Sequence, residues 1–249
     1  MHAVRPLSSE LSGRCLVHGS GRLIIVVGSG LVAVSAASRL LESGHDVTLT
    51  TAHAEFGFPH GGCGLWNTDV LPWPLQTIEE AVGAMAGSRV ACRSQWLVKR
   101  LVHRFTTAGG RTSTRVRLTH DAGTWNSVGT GAVPLDVLNH VIVADQDVPE
   151  PALSAGAPLL TFERPIQWYG AVVIEGTPID IDHAGARADG TVEAWTMVED
   201  ELLGVQRLSL ETMRMTWNDE GHEIDAARCM QRAHEAVDEF LMSNGLGVA

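Results

Sequence analysis

The apolar positions of this chain fall into two regimes. Leu23-Ile24-Ile25-Val26-Val27 is an unbroken, mostly β-branched run, the pattern of a strand buried on both faces. Gly28-Ser29-Gly30 turns it, and Leu31 to Ser43 reads as an Ala- and Leu-rich helix closed by Gly44. Asp46 to Thr50 is a second strand, completing a βαβ unit that opens a parallel sheet. Gln76 to Ala86 reads as a helix. Ser94 caps another through about Thr107, with Val98, Leu101, Val102 and Phe105 on one face and Gly109-Gly110 as its stop. Arg115 to Thr119 and Trp125 to Thr130 read as paired strands, and His140 to Ala144 as a further buried strand of the parallel sheet.

The second regime begins near residue 150, where Pro149, Pro151 and Pro158 cluster. Ile166–Glu175, Val192–Val198 and Val205–Thr216 read as extended, antiparallel-type segments, and Glu199-Asp200-Glu201 as a solvated turn. A helix from about Glu223 to Met242 sets Ile224, Ala227, Met230, Val237 and Leu241 on one face before Asn244-Gly245 ends it. The expected division is a lead-in over 1–20, a dinucleotide-binding part over 21–150, a smaller antiparallel part over 151–217 and a C-terminal helix over 218–249. The fold class is α/β: a Rossmann-like parallel sheet with a smaller antiparallel β part and a C-terminal helix.

Composition narrows the function classes. Hydrophobic residues make up 45% of the 249 and charged residues 19%, enough for a buried core. The net charge of −11 argues against nucleic acid as a partner, because phosphate-backbone binding needs a basic face. No apolar run approaches the ~18 residues of a membrane span, and no apolar segment follows the first residues as in a secretory signal. Cys15, Cys63, Cys92 and Cys229 are scattered without a CxxC pair, which reads as a reducing, cytoplasmic compartment. There is no GxSxG elbow and no GK[ST] P-loop.

The strongest chemical signal is Gly28-Ser29-Gly30-Leu31-Val32-Ala33, a GxGxxA turn directly after a strand and opening a helix. Gly28 permits the tight turn, Gly30 lets backbone approach a pyrophosphate, and Ala33 allows close packing of helix on strand. The main-chain amides around Ser29 and the positive end of the helix dipole would then face the diphosphate. The acidic residue expected at the end of the second strand to hold the ribose is replaced by Thr50 and Thr51, with Glu55 as a substitute nearby. Residues 52–75 form a long loop with Gly57, Pro59, Gly61, Gly62 and Gly64, suited to lying against a flat ring or phosphate. His53, His60 and Cys63 fall close together but match no zinc spacing, so no metal is expected. Seven tryptophans stand against one tyrosine; Trp66, Trp73, Trp168, Trp195 and Trp217 fit either a lining for a flat apolar ligand or ordinary core packing.

After the glycine turn come Phe58 to Trp66, Ser88 to Gln95, Gln167 to Glu175, Pro178-Ile179-Asp180-Ile181-Asp182 and Leu208 to Thr212. In that order these segments resemble the lycopene cyclases of the plant and cyanobacterial type, within the flavoprotein group shared with geranylgeranyl reductases and aromatic hydroxylases. The resemblance spans about residues 22–216, and Tyr169 to Asp182 is its more specific part. It implies FAD, with NADPH as an external reductant, bound through Gly28, Ser29, Gly30, Ala33, Thr51, Gly64 and Arg93. It implies that Glu211 is the catalytic acid, protonating an apolar isoprenoid at a site in peripheral contact with a membrane. The family's later Gly-Asp flavin contact has no Gly-Asp dipeptide to match it here, so a partner chain would supply that contact. The alternative is a non-catalytic relative that serves as a binding or partner subunit.

Overall fold

The computed structural model describes residues 23–58, 62–67, 89–131, 133, 135, 138–144, 156–161, 164–217 and 224–247. The expected lead-in, the helix over 76–86 and Trp73 lie outside the described residues. Sheet A has five strands in the order β5-β2-β1-β8-β9: β1 Leu23–Val27, β2 Asp46–Thr51, β5 Arg111–Thr114, β8 Leu138–Val143 and β9 Ala157–Pro158. Every pairing in it is parallel. The β1 run is buried from end to end, as its sequence requires.

Helices α1 (Leu31–Glu42), α2 (Ser94–Thr107) and α4 (Ala226–Ser243) all end on glycine. Gly44, Gly109 and Gly245 follow the three helices with φ of 82°, 106° and 60°. Around each, two backbone N–H groups reach back to the last-turn carbonyls, from Gly44 to Leu41 and from His45 to Leu40 in α1. Asp225 caps α4, accepting from the N–H groups of Ala227 at 2.7 Å and Arg228 at 3.3 Å. Helix α4 packs along α1, and Arg39 donates two hydrogen bonds across the contact to Asp238, at 2.8 and 3.0 Å. The hairpin β6 (Val116–Asp121) and β7 (Thr124–Gly129) turns through Ala122-Gly123, both at positive φ, the backbone of a type I′ turn. Val116 and Leu118 of the hairpin pack on Ile25, Val27 and Val141 of sheet A.

Sheet B has the order β13-β10-β12-β11-β4-β3, with β10 Ile166–Ile174, β11 His183–Arg187, β12 Thr191–Thr196 and β13 Glu211–Trp217 from the later part of the chain. β3 (Leu65–Asn67) and β4 (Arg89–Ala91) come from within the first 150 residues, and β4 runs parallel to β11. Sheet B therefore draws strands from both sides of the composition change near residue 150. Val205 is not extended, contrary to its sequence pattern. Glu199–Gln206 forms a short helix, α3, whose first turn is Glu199, Asp200 and Glu201. Three carboxylates at a helix N-terminus complement its dipole, and Leu202 is the buried anchor. One continuous apolar core joins α1, α4, the side chains of Phe56, Cys63, Leu65 and Trp66, and the inner side chains of sheet B.

Candidate functional site

The glycine turn lies where the chain order of sheet A reverses, at the carboxyl end of β1. Gly28 N–H donates to Thr50 O at 2.8 Å on the β2 side, and Ala144 N–H donates to Val27 O at 2.7 Å on the β8 side. Ligands of open α/β sheets bind at this switch point, outside the carboxyl ends of the strands. Gly30, the N-cap of α1, has φ −97° and ψ −167°, an extended conformation open to any residue. Backbone conformation therefore does not require glycine there. Ala33 is fully buried, and the first turn of α1 carries no acid to oppose an anion.

The remaining expected cofactor residues are engaged within the chain. Ser29 is 1% exposed; its hydroxyl donates to Phe58 O at 2.9 Å and its carbonyl accepts from Gly57 N–H at 2.7 Å. Gly57, at φ +80°, presses so closely on α2 that a Cβ would stand 3.1 Å from the Cα of Gln95. The segment after β2 is thus pinned between the glycine turn and α2. Thr51 is 1% exposed, and its hydroxyl accepts from His53 N–H at 3.2 Å. Glu55 reaches outward to Lys99 at 3.0 Å.

Gly64 meets Glu193 and β4. Its N–H donates to Glu193 Oε1 at 2.6 Å, and its carbonyl accepts from Cys92 N–H at 2.9 Å. A Cβ on Gly64 would stand 1.9 Å from Cys92 O, so tight packing on the protein's own strand accounts for this glycine. Glu193 is fully buried. It also accepts from Trp195 Nε1 at 2.6 Å and from Nε and Nη2 of Arg187, whose side chain is 3% exposed. Sequence reasoning missed this pair. The available signal was an acid at Glu193 in register with the apolar Trp195, two residues on along the same strand.

Arg93 and Glu211, far apart in sequence, come together. Arg93 opens α2, with its Nε 3.4 Å from Asp189 and its Nη1 3.8 Å from Glu211. The two side chains are 41% and 31% exposed. Glu211 starts β13 beside a cation; no apolar enclosure surrounds it. Trp66, Trp168, Trp195 and Trp217 are core side chains, fully enclosed among Leu65, Met213 and Met215. Packing, the second of the two readings of the tryptophans, holds for these four. Among the described residues, no three His, Cys, Asp or Glu side chains are grouped to hold a metal. His53 packs edge-on against Phe58.

Burial pushes the Cys92 thiol up to about 12, with Glu193 adding to the shift and the Trp66 N–H opposing it. Burial drives Cys63 in the same direction. Iodoacetamide at pH 8 is therefore expected to spare both in the folded protein and to label them on unfolding, as read by peptide mass spectrometry. Labelling of native Cys92 at the rate of an exposed thiol would contradict the packing. The same shifts carry a sign for stability. The contribution of these neutral thiols is complete below about pH 9 and is lost as pH rises toward about 12.

Taken together, Gly28, Gly30 and Ala33 are buried at the switch point of sheet A, and Thr51 and Gly64 engage polar groups within the chain. No protein-family model matches this sequence, and no curated protein does. Solved structures do match it. A geranylgeranyl bacteriochlorophyll reductase-like protein from Thermoplasma acidophilum aligns with a TM-score of 0.59 at 11% identity, over 90% of this chain and 80% of its own. A flavoprotein/dehydrogenase from Cytophaga hutchinsonii aligns at 0.52 and 10% identity, over 92% and 80%. A glycine oxidase from Bacillus cereus aligns at 0.52 and 10% identity, over 91% and 96%. With its parallel sheet A, its glycine turn and its antiparallel-rich sheet B, the chain has the Rossmann-like α/β fold of these structures, a flavoprotein/dehydrogenase among them.

Proposed function

We propose that this protein is an FAD-binding flavoprotein of the oxidoreductase class, taking the cofactor's diphosphate at the Gly28–Ala33 turn. The observation that carries the reading is the position of that turn, at the carboxyl end of β1 between β2 and β8. Support at the level of fold comes from the flavoprotein/dehydrogenase and glycine oxidase likenesses. The grip is weak, because Thr51 offers no carboxylate to the ribose. Loss of a charge-assisted hydrogen bond of roughly 1.5–3 kcal/mol lowers affinity by about 10- to 100-fold.

A finer version is a lycopene cyclase-type activity on an apolar isoprenoid, with Glu211 as proton donor, NADPH as external reductant and peripheral membrane contact. Its support is the sequence resemblance alone. A neutral carboxylic acid needs an apolar enclosure, and Glu211 instead sits partly exposed beside Arg93. No helix among the described residues is long and apolar enough to cross a membrane.

A second reading, a non-catalytic relative acting as a binding or partner subunit, is favoured by one specific observation. Ser29, Thr51 and Gly64 spend hydrogen-bonding groups on the protein itself, and the inner side of sheet B is filled by tryptophan and methionine. Titration of the purified protein with FAD separates the two. Saturable quenching of flavin fluorescence, reversed by dialysis, is expected of a weakly gripped cofactor. Absence of quenching at large protein excess leaves only the second reading.

A further inference from the structure

Charge is distributed unevenly along this acidic chain. From Ala81 to His120 there is no Asp or Glu, and eight of the 18 basic residues fall there. α2 lies inside that stretch and turns its cations outward. Leu97, Val98, Leu101 and Phe105 form its buried face, and Trp96, Lys99, Arg100, His103 and Arg104 are exposed away from it. Residues 96, 99, 100 and 103 share one stripe along two helical turns, roughly 10 Å long, with Arg104 at its flank. Two large rings are exposed at the N-terminal end of the stripe. Trp96 is 56% exposed, and Phe58, 45% exposed, follows Gly57, which lies against Gln95. The acids nearby hold this face loosely. Glu55 pairs with Lys99 at 3.0 Å, but the two side chains are about half exposed, and such a pair yields to a stronger anion. Glu42 lines the same groove as Arg104.

We propose that this face of α2 docks the protein on an anionic lipid surface, with Lys99, Arg100 and Arg104 over the headgroup phosphates and the Trp96 and Phe58 rings among the headgroups. Exposed rings beside cations suit a membrane–water interface, where an amphipathic ring sits at headgroup level and each cation gains from the negative surface potential. The net charge of −11 does not forbid the contact. At physiological salt, charges more than about 8 Å from the lipid surface are largely screened. A nucleic-acid strand fits less well. Single strands are held in a positive groove that tracks their backbone, and a duplex takes a helix into its major groove. α2 instead keeps one face buried along its length and offers only the other. The assignment rests on charge and exposure, not on the sequence resemblance, and it holds whether or not FAD binds.

The test is co-sedimentation of the full chain, without added flavin, with vesicles of phosphatidylcholine alone and with vesicles that also contain phosphatidylserine. Binding is expected to the second kind only, and to be lost at high sodium chloride. Lys99→Gln combined with Arg100→Gln is expected to weaken it about tenfold or more, with an unchanged melting temperature. Glu55→Gln is expected to tighten it several-fold, and Arg232→Gln on α4 to leave it unchanged. Brominated lipid in the mixed vesicles should quench tryptophan fluorescence in wild type, and most of that quenching should vanish in Trp96→Phe. Equal binding to both kinds of vesicle, no binding to either, or undiminished binding by the double variant overturns the proposal. Retention of a single-stranded oligonucleotide in place of vesicles would also overturn it and assign the face to nucleic acid.

Discussion

Arg187→Met is expected to cost about 3–5 kcal/mol of stability, the largest effect of any surface-remote polar substitution in sheet B. The reason is the company Glu193 keeps. Its carboxylate is fully buried and has Arg187 as its cation, so removing the guanidinium leaves an uncompensated charge in the core. Glu193→Gln is also costly, but for a different reason. Gln keeps a carbonyl oxygen to accept from Gly64 N–H and Trp195 Nε1, yet turns an amide toward Arg187, donor against donor. Combining the two changes removes both the stranded charge and the facing donors. Urea unfolding of the four proteins should therefore show the double variant more stable than the sum of the single losses allows, with a coupling of at least about 1 kcal/mol. Strict additivity would mean that the two side chains do not meet.

Gly64→Ala should lower stability by about 3 kcal/mol, or roughly 6–12 °C in melting temperature for a chain of this size. The new methyl group would stand 1.9 Å from Cys92 O and 2.8 Å from Glu193 Oε2, and neither a strand carbonyl nor a buried carboxylate can retreat easily. Relief requires the 62–65 segment to lift from β4, which opens the Gly64 bonds to Glu193 and Cys92. Gly204, inside α3, has no atom within 4 Å of an added Cβ. Gly204→Ala is expected to be neutral or stabilising by about 0.5–1 kcal/mol, since only helix propensity changes. Differential scanning calorimetry of the two variants measures the contrast. A Gly64→Ala protein that melts with wild type would show that the segment does not lie against β4.

The strongly periodic parts of this fold were legible in the sequence. β1, α1, β2 and the glycine stops at Gly44, Gly109 and Gly245 follow from apolar runs and from the left-handed backbone that glycine tolerates. β5 was not legible, because Arg-Thr-Ser-Thr is polar, and a strand at the sheet edge needs no apolar face. α3 was not legible: its start was read as a turn and Val205 onward as extended, because eight residues are too few for a helical period to outweigh the β-rich segments around them. At the candidate site, sequence motifs located the turn at Gly28 and Gly30 but not where the side chains would be spent. The bonds of Ser29 to Phe58, Thr51 to His53 and Gly64 to Glu193 depend on loop paths and long-range pairing that no local pattern encodes. Arg93 and Glu211, separated by more than a hundred residues, come within 3.8 Å of each other, a meeting no local pattern encodes.

The claim that a diphosphate is held at the β1–α1 turn is tested most directly at Gly30. Its extended backbone does not by itself exclude alanine, but Gly30 is buried, so the circular dichroism of Gly30→Ala is compared with wild type before its affinity is read. FAD titration of wild type and Gly30→Ala, followed by flavin fluorescence, should show saturable binding in the first and at least about tenfold weaker binding in the second, with superimposable circular dichroism. Equal affinity in the two proteins, or no binding by wild type, would contradict the assignment of this turn to a cofactor.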